Sequence, residues 1–453
     1  MEYELSHLMA IGLFASFIVC LFIGYPVAWL MGGLAIIFTA ISVLSDHYLD
    51  TFIGLDWGYS SIMVARIYAV MNNWILVALP MFIFMGIMLD RSGIAEDLMT
   101  NLAKLFGRMR GGIAIAVVFI GVLLAASTGI IGAAVVLLAI LGVPLMLKHN
   151  YSPQLACGVV CATGTLGILI PPSIMLVMMA DQIRVSVGDL FMGAVFPGLL
   201  LGALYAIYIL IHAWIVPGAA PAPKDAEPVS PRLLYNVVLA IIPTAGLIFL
   251  VLGSIFFGIA TPTEASGVGA LGATLLAMAR GRLSFSALSD VVQQTTKTTS
   301  YIFALFVGAT AFSLVLRGLG GDEVIESALT GLPFGPQGVV IVVLAAVFIL
   351  GFFLDWIEIT LILLPLIAPV MLNLGVDLVW FTIMFAVCLQ TSFITPPVGF
   401  ALFYMKGVVP KGIDMVMIYK GIIPFVLLQM LSVVILFNMP SIITWLPSVA
   451  YGN

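Results

Sequence analysis

The sequence predicts an all-α polytopic membrane protein that contains an inverted repeat. Hydrophobic residues make up 63% of the 453 residues and charged residues only 8%. Apolar runs recur along the whole chain, and one such run in each half is interrupted by a proline pair. Because a soluble domain carries about a quarter charged residues, this composition is typical of a chain embedded in lipid. The thinly spread net charge of −5 gives no sign of nucleic-acid binding.

A proline-rich, charged stretch divides the chain near its middle. We expect residues 217–232 to form an aqueous linker between two repeat halves, residues 1–216 and 233–453. Landmarks recur in the same order in both halves: Pro144 and Pro369 are 225 residues apart, as are the pairs Pro171–Pro172 and Pro396–Pro397. An odd number of membrane crossings in each half would invert one half relative to the other.

The two proline pairs predict fixed helix interruptions. Proline lacks a backbone donor, so adjacent prolines leave carbonyls unpaired where lipid offers no partner. Paired interruptions at equivalent positions are typical of the binding site of a secondary transporter. We therefore expect Ser173 and Thr395, which lie beside the two breaks, to be close to a substrate.

Two segments are predicted to be re-entrant hairpins with polar tips. Residues 284–299 are too polar to cross lipid, and the apolar segment after them is shorter than the roughly 20 residues that a span needs. We expect one hairpin at about residues 284–316 and another of the same plan at about residues 57–90. The tip residues would be Asn72, Asn73, Thr298, Thr299 and Ser300.

Two further apolar segments are predicted to be broken helices. Residues 113–147 and 338–373 are too long for one straight span, and the centre of each contains glycines, hydroxyls or acids. Carbonyls exposed at such breaks need partners at membrane depth. The interrupting residues are Ser127, Thr128, Gly129 and Gly132 in the first segment, and Gly351, Asp355 and Glu358 in the second.

Five motifs in a fixed order resemble one transporter family. They are Leu-Asp-Arg-Ser-Gly at 89–93, Gly-Ile-Leu-Ile-Pro-Pro-Ser at 167–173, Phe-Pro-Gly-Leu at 196–199, Ala-Thr-Pro-Thr-Glu-Ala at 260–265 and Thr-Pro-Pro-Val-Gly at 395–399. Together they resemble the large membrane subunit of the tripartite ATP-independent periplasmic (TRAP) transporters, over nearly the whole chain.

The resemblance implies a sodium-driven importer of a small organic acid in a bacterial inner membrane. It also implies two partners, a small four-helix membrane subunit and a periplasmic substrate-binding protein. The implied mechanism is an elevator, in which two hairpins and two broken helices move against a fixed scaffold. The sequence from Ala126 to Gly132 is similar to that of a subgroup associated with 2-oxo acids and other monocarboxylates.

Given sodium as the coupling ion, oxygen-bearing residues are the candidate ligands, because a hard cation takes about five or six oxygens. The alternative is that these Ser and Thr residues only pack helices together. The first candidate site comprises Asn72, Asn73, Ser127, Thr128, Gly129 and Gly132, and the second comprises Thr298, Thr299, Ser300, Gly351 and Asp355.

Two acids and one arginine are further candidates. Asp355 and Glu358 lie three residues apart in an apolar stretch, where ionisable groups are costly and by default functional. We expect Asp355 near the ion and Glu358 near the substrate; the alternative is a structural ion pair with Arg317 or Lys297. Arg66 could hold a substrate carboxylate, or it could be an interfacial anchor.

The motifs of common enzyme classes are absent from the sequence. There is no Gly-x-x-x-x-Gly-Lys-Ser/Thr, no His-Glu-x-x-His and no Gly-x-Ser-x-Gly. We therefore expect a protein that is not an enzyme; the alternatives to a transporter are an ion or solute channel and a membrane-embedded hydrolase. Basic residues between 91 and 112 favour a cytoplasmic position for that segment, but Arg280, Arg282 and Lys406 complicate the count.

Overall fold

The computed structural model describes residues 2–128, 131–223 and 230–451, and in these ranges the regular secondary structure is entirely helical. Eight of the described helices are long and apolar enough to cross a membrane, and a ninth span is possible if one bent pair counts as a single crossing. The prediction of an all-α polytopic membrane protein is confirmed.

The described residues of the first half form ten α-helices and two short 3₁₀ helices, Trp74–Val77 and Thr165–Ile168. The α-helices are α1 (Glu2–Ile23), α2 (Val27–Tyr48), α3 (Trp57–Met71), α4 (Ala78–Arg91), α5 (Ile94–Phe106), α6 (Gly112–Thr128), α7 (Ile131–Lys148), α8 (Pro153–Gly164), α9 (Ile174–Ile183) and α10 (Val187–Ile215).

The second half repeats this plan and adds one helix at its end. Its helices are α11 (Pro231–Phe256), α12 (Pro262–Ala279), α13 (Phe285–Gly318), α14 (Gly321–Thr330), α15 (Pro336–Leu350), α16 (Trp356–Ile362), α17 (Leu364–Asn373), α18 (Leu378–Phe393), α19 (Phe400–Val408), α20 (Met415–Asn438) and α21 (Ser441–Tyr451).

Helices α6 and α7 form a hairpin. A Cβ added to Gly121 of α6 would lie 3.3 Å from Leu138 Cδ1 of α7, and one added to Gly142 of α7 would lie 3.1 Å from Val117 Cγ2 of α6. Residues that approach in this order belong to antiparallel helices, so α6 and α7 run in opposite directions. The predicted broken helix at 113–147 is therefore wrong: the apolar run is long because it enters and leaves the membrane.

The segment from α15 to α17 also folds back on itself. Val343 of α15 and Ile367 of α17 line the same cavity of about 440 Å³. In a straight helix these residues would be about 36 Å apart, at 1.5 Å per residue. The reversal occurs at residues 351–355, and the returning arm is bent by 52° between α16 and α17. The predicted broken helix at 338–373 is thus a second hairpin.

The segments predicted to be hairpins have other structures. Residues 285–318 form the single 34-residue helix α13, which is about 51 Å long and exceeds the roughly 30 Å hydrocarbon core, so its polar first part can lie outside lipid. Residues 57–90 form two successive helices, α3 and α4. Helix α3 has no buried residue and packs on α13, whereas α4 packs on α12 and α13. The predicted hairpins at 57–90 and 284–316 are both wrong.

The interruptions predicted at the proline pairs are confirmed. The first discontinuous helix consists of α8 and its 3₁₀ extension, a break at residues 169–173, and α9. The second consists of α18, a break at residues 394–399, and α19. The Pro171–Pro172 and Pro396–Pro397 peptide bonds are both cis.

The two halves share one register. α8 begins at Pro153 and α18 begins at Leu378, 225 residues later, and α16 begins at Trp356, 225 residues after α7 begins at Ile131. Two residues with the same separation also touch, since Gln390 Nε2 donates to Thr165 Oγ1 at 3.4 Å. Both residues are fully buried, so a pseudo-twofold axis passes between them in the core.

The repeat is inverted, because the equivalent helices α8 and α18 begin on opposite sides of the bundle. The start of α8 meets the start of α20, where a Cβ on Gly421 would lie 2.0 Å from Gln154 O. The start of α18 meets the end of α20, where Trp380 Nε1 donates to Leu436 O at 3.3 Å. Gly421 and Leu436 are 15 residues apart on the 24-residue helix α20, about 22 Å along its axis, so the two contacts lie toward opposite ends of that helix.

Basic side chains collect at the end of the bundle where α8 and α20 begin, which we call the basic face. Gly111 N donates to Ala220 O and Ser152 N donates to Ala219 O, so the loops before α6 and α8 meet the linker there. The ends of α4 and α12 lie at the same face. Arg91 at the end of α4 pairs with Asp290 of α13, and Arg280 at the end of α12 pairs with Asp97 of α5. The Lys and Arg residues at this face are Arg91, Lys104, Arg108, Arg110, Lys148, Arg232, Arg280, Arg282, Lys406, Lys411 and Lys420.

Candidate functional site

Both hairpins place residues close to Tyr404. Gly132, at the start of α7, lies under the Tyr404 ring, and a Cβ at Gly132 would lie 3.0 Å from Tyr404 Cζ. Asp355, at the tip of the second hairpin, lies within electrostatic range of Tyr404 and of Tyr301 in α13. One site is therefore formed by the two hairpins together with the helices α13 and α19, which carry the tyrosines. We call it the tip site.

A reciprocal capping box fixes the two carboxyls of the tip site. Trp356 N donates to Asp355 Oδ1 at 2.8 Å, and Asp355 N donates to Glu358 Oε2 at 3.0 Å. Glu358 is only 4% exposed. The box satisfies backbone donors at the start of α16 and leaves carboxylate oxygens free to bind other groups.

The alternative of a structural ion pair is not observed. Within the described part of the chain, neither Asp355 nor Glu358 has a basic group within ion-pair distance. Arg317 instead donates from Nη2 to Pro365 O at 3.3 Å. A buried pair of acids without a cation is costly, so this site is suited to binding one.

The second hairpin is held close to the second discontinuous helix. A Cβ at Gly351 would lie 2.1 Å from Ser392 Oγ, so only glycine fits at this turn. Ser392 is the penultimate residue of α18, two residues before the break that contains Pro396. The tip of the hairpin and the interrupted helix thus bring backbone carbonyls, a hydroxyl and a carboxyl into one region.

The structure places the predicted ion ligands in different parts of the molecule. Thr298, Thr299 and Ser300 occupy the turn of α13 just before Tyr301, and Thr299 Oγ1 is buried without a hydrogen-bond partner. Gly132, Gly351 and Asp355 belong to the tip site. Gly129 lies outside the described residues, as do the side chains of Ser127 and Thr128. Their roles as ligands stay predictions.

Asn72 and Asn73 do not join the tip site. Asn72 ends α3, and its Nδ2 donates to Tyr68 O at 3.0 Å. Asn73 Oδ1 accepts from Ile75 N at 3.0 Å, and its Nδ2 donates to Asp181. The sequence reasoning grouped them with the ion ligands because it assumed a hairpin tip at this position.

Two predicted substrate residues use their hydroxyls locally. Ser173 donates to Ile168 O and caps α9 by accepting from Leu176 N, while Thr395 Oγ1 donates to Thr391 O at 2.6 Å. These bonds satisfy backbone groups beside the proline breaks. Glu358 belongs to the tip site, and Arg66 lines a different cavity.

That second cavity has a volume of about 700 Å³ and lies between α3, α9, α13 and the returning arm of the second hairpin. Arg66, Arg184 and Arg317 line it together with Asp181. The Asp181 carboxylate accepts from the amides of Asn73 and, at 3.0 Å, of Gln182. The cavity is therefore lined by more positive than negative charge, and we call it the arginine cavity.

The described residues contain no group of three or more His, Cys, Asp or Glu side chains that could hold a metal ion. Sequence reasoning missed Tyr301 and Tyr404, which nothing in the sequence distinguishes from other aromatics in apolar runs. It also missed the grouping of Arg184 and Arg317 with Arg66. The rarity of arginine in such apolar surroundings was the available signal.

Comparison with known proteins identifies the family. The profile of the DctM component of the tripartite ATP-independent periplasmic transporters matches residues 14–442. The C4-dicarboxylate TRAP transporter large permease protein DctM of Vibrio cholerae is 32% identical and covers 97% of this chain and 98% of its own length. The 2,3-diketo-L-gulonate TRAP transporter large permease protein YiaN of Escherichia coli is 27% identical, with coverages of 93% and 95%.

A solved structure shares the fold. The Alcanivorax borkumensis YdaH transporter superposes with a TM-score of 0.61 at 15% identity, covering 84% of this chain and 87% of its own. The relatives are named as transporter permeases rather than enzymes. With its apolar helices, the protein is a multi-pass protein of a bacterial inner membrane. The chain therefore belongs to the DctM family, as the large permease subunit that works with a substrate-binding protein and a small membrane subunit in a TRAP transporter.

Proposed function

We propose that this chain carries a small organic acid across the inner membrane together with sodium, by alternating access. The observation that supports this proposal is the tip site, where two inverted hairpins meet beside two proline-broken helices. Discontinuous helices at membrane depth place backbone carbonyls where an ion can use them. A small four-helix membrane subunit and a periplasmic binding protein would complete the assembly.

The chemistry of the tip site supports sodium as the cargo ion. Sodium is a hard cation that takes oxygen ligands, and the turn at residues 351–355 carries the Asp355 carboxyl at one end and contacts the Ser392 hydroxyl through Gly351 at the other. Thr299 adds a buried hydroxyl on the facing helix α13. By the inverted repeat, the first hairpin and the break at residues 169–173 form the matching half of the arrangement.

An organic acid is the substrate class that the relatives favour. Their names specify C4-dicarboxylates, 2,3-diketo-L-gulonate and isethionate, although one names ectoine. We propose a monocarboxylate or 2-oxo acid as the narrower class, on the similarity of residues 126–132 to the subgroup associated with those acids. The binding protein would select the molecule, and this chain would carry it.

Sodium coupling is tested in proteoliposomes that contain this chain, its small subunit and its binding protein. We expect saturable uptake whose initial rate falls at least about tenfold when choline replaces external sodium, because the coupling ion is then missing. Uptake that continues in choline would overturn the coupling. Flux that never saturates with substrate would instead favour the channel alternative.

We further propose that the basic face is cytoplasmic, following the positive-inside rule. Lys411 and Asp322 lie on exposed segments at opposite ends of the bundle. In a cysteine-free background, a membrane-impermeant maleimide should label Asp322→Cys in intact spheroplasts, but Lys411→Cys only after permeabilisation. The reverse labelling pattern would invert the orientation.

We propose an elevator as the form of alternating access. The moving part would contain the two hairpins and the two discontinuous helices, which pack closely around the pseudo-twofold axis. The helices α1–α4 and α11–α13 would form the scaffold. The Asn73–Asp181 hydrogen bond joins these two groups and would have to break during each cycle.

A further inference from the structure

The distribution of basic residues marks the arginine cavity as unusual. The chain has 16 Lys and Arg residues. Among the described Lys and Arg residues, eleven lie at the basic face. Helix α13 begins at this face, and Lys297 lies in its first half. The remaining three, Arg66, Arg184 and Arg317, lie toward the other end of the bundle, and all three line the arginine cavity. Their concentration in one cavity is not explained by membrane topology, which disfavours arginine at an external face.

None of the three guanidinium groups forms an ion pair with a described carboxylate. Within the described ranges, Arg66, Arg184 and Arg317 have no carboxylate within 4.0 Å, and Arg317 Nε is buried without a hydrogen-bond partner. Asp181 is the acid that lines the cavity and it interacts electrostatically with Arg184, but its carboxylate accepts hydrogen bonds from the amides of Asn73 and Gln182. Arg66 and Arg317 are partly buried whereas Arg184 is exposed, and an unpaired, partly buried guanidinium is unfavourable unless it has an anionic partner.

We propose that the arginine cavity is a capture site for the carboxylate of a small organic anion, separate from the tip site. Guanidinium binds a carboxylate through two parallel hydrogen bonds, and Arg317 still has donors available. The proposal rests on the proposed transport of an organic acid and adds a first binding step to it. On the orientation proposed above, this step occurs on the periplasmic side.

The cavity is connected to the tip site through the second hairpin. Leu361, which lines the arginine cavity, lies three residues after Glu358 on α16, about 4.5 Å along the helix axis. Arg317 contacts the same arm through the Pro365 carbonyl. An anion held by the arginines would therefore touch the element that also carries the tip-site carboxyls.

The first test is chemical protection, with the permease and its small subunit in nanodiscs. Phenylglyoxal modifies arginines, and peptide mass spectrometry reports the rate at Arg66, Arg184 and Arg317. Succinate, pyruvate and citrate are tested separately in choline buffer, with neutral succinamide as the matched control. We expect at least one of these anions, but not succinamide, to slow modification at these positions about fivefold or more. Arg232, at the basic face, should react at the same rate throughout.

The second test is uptake by charge-removing and charge-preserving variants. Arg317→Gln should raise the KM for uptake about tenfold, with little change in Vmax, because capture is lost but translocation is not. Arg317→Lys keeps the charge without the paired geometry and should fall between Arg317→Gln and the unchanged protein. Arg232→Gln is the matched control and should leave KM unchanged.

The outcomes separate this inference from the proposed function. If none of the three anions protects any of the arginines, the capture site is overturned even if uptake needs sodium. If only the intact binding protein protects them, the arginines form a docking surface and the proposal is also wrong. Because labelling is done without sodium, protection by an anion would support the capture site even if sodium coupling failed.

Discussion

Replacing Gly158 with valine should abolish the folded form of the protein. A Cβ at Gly158 would lie 2.1 Å from Gly421 O, and a Cβ at Gly421 would lie 2.0 Å from Gln154 O. Helices α8 and α20 thus cross in backbone contact, and no flexible side chain can move aside. We expect a loss of stability on the order of 3 kcal/mol or more, since overpacking here must displace a whole helix.

The measurement is size-exclusion chromatography of a fluorescent fusion in mild detergent, followed by a thermal ramp. Gly158→Val should show no monodisperse peak. Gly267→Val is the matched control, because it places the same β-branched residue in helix α12, where the structure leaves open space around the glycine. If both variants keep the unchanged profile and melting temperature, the contact between α8 and α20 is not as close as described.

Asp355→Asn should reduce uptake by at least about tenfold while leaving the protein folded. Asparagine caps a helix about as well as aspartate, so α16 should still begin at the same residue. Only the negative charge is lost, and under the proposed sodium coupling this charge is what binds the cation in the tip site most strongly. We expect the sodium concentration for half-maximal uptake to rise by a similar factor.

Asp377→Asn provides the matched comparison. Asp377 caps α18 by accepting from Trp380 N at 2.7 Å, but it is exposed and lies far from the hairpin tips. Uptake and its sodium dependence should be unchanged in this variant. If the two substitutions affect sodium dependence equally, Asp355 acts as a helix cap alone and the second ion site must be placed elsewhere.

Much of the repeat could be predicted from the sequence because prolines act locally. Proline interrupts a helix through its own ring and missing donor, whatever surrounds it. The breaks at Pro171 and Pro396, and their separation of 225 residues, therefore predicted two discontinuous helices in a common register. The contact between Thr165 and Gln390 shows that this register also locates the pseudo-twofold axis.

The hairpins could not be placed correctly from hydropathy. A run of about 35 apolar residues has the same composition whether it bends or reverses, and only contacts such as Gly121 with Leu138 distinguish the two. In α13, the polar residues before Tyr301 suggested a turn, although a helix longer than the membrane can carry the first of them outside it. The tip site depends on these long-range contacts, so only some of its members were predicted.

The equivalent segments α3–α4 and α13 of the two halves are not alike. The first segment is divided into α3 and α4 by the turn at Asn72 and Asn73, whereas α13 is continuous over the equivalent residues. In an inverted repeat with identical halves, exchanging the roles of the halves would produce two end states of equal energy. Because α3 and α4 are separated by a turn and α13 is continuous, the two end states of this protein are not equal in energy. The transporter at rest should therefore favour one end state, and cargo must supply the difference in binding free energy that populates the other.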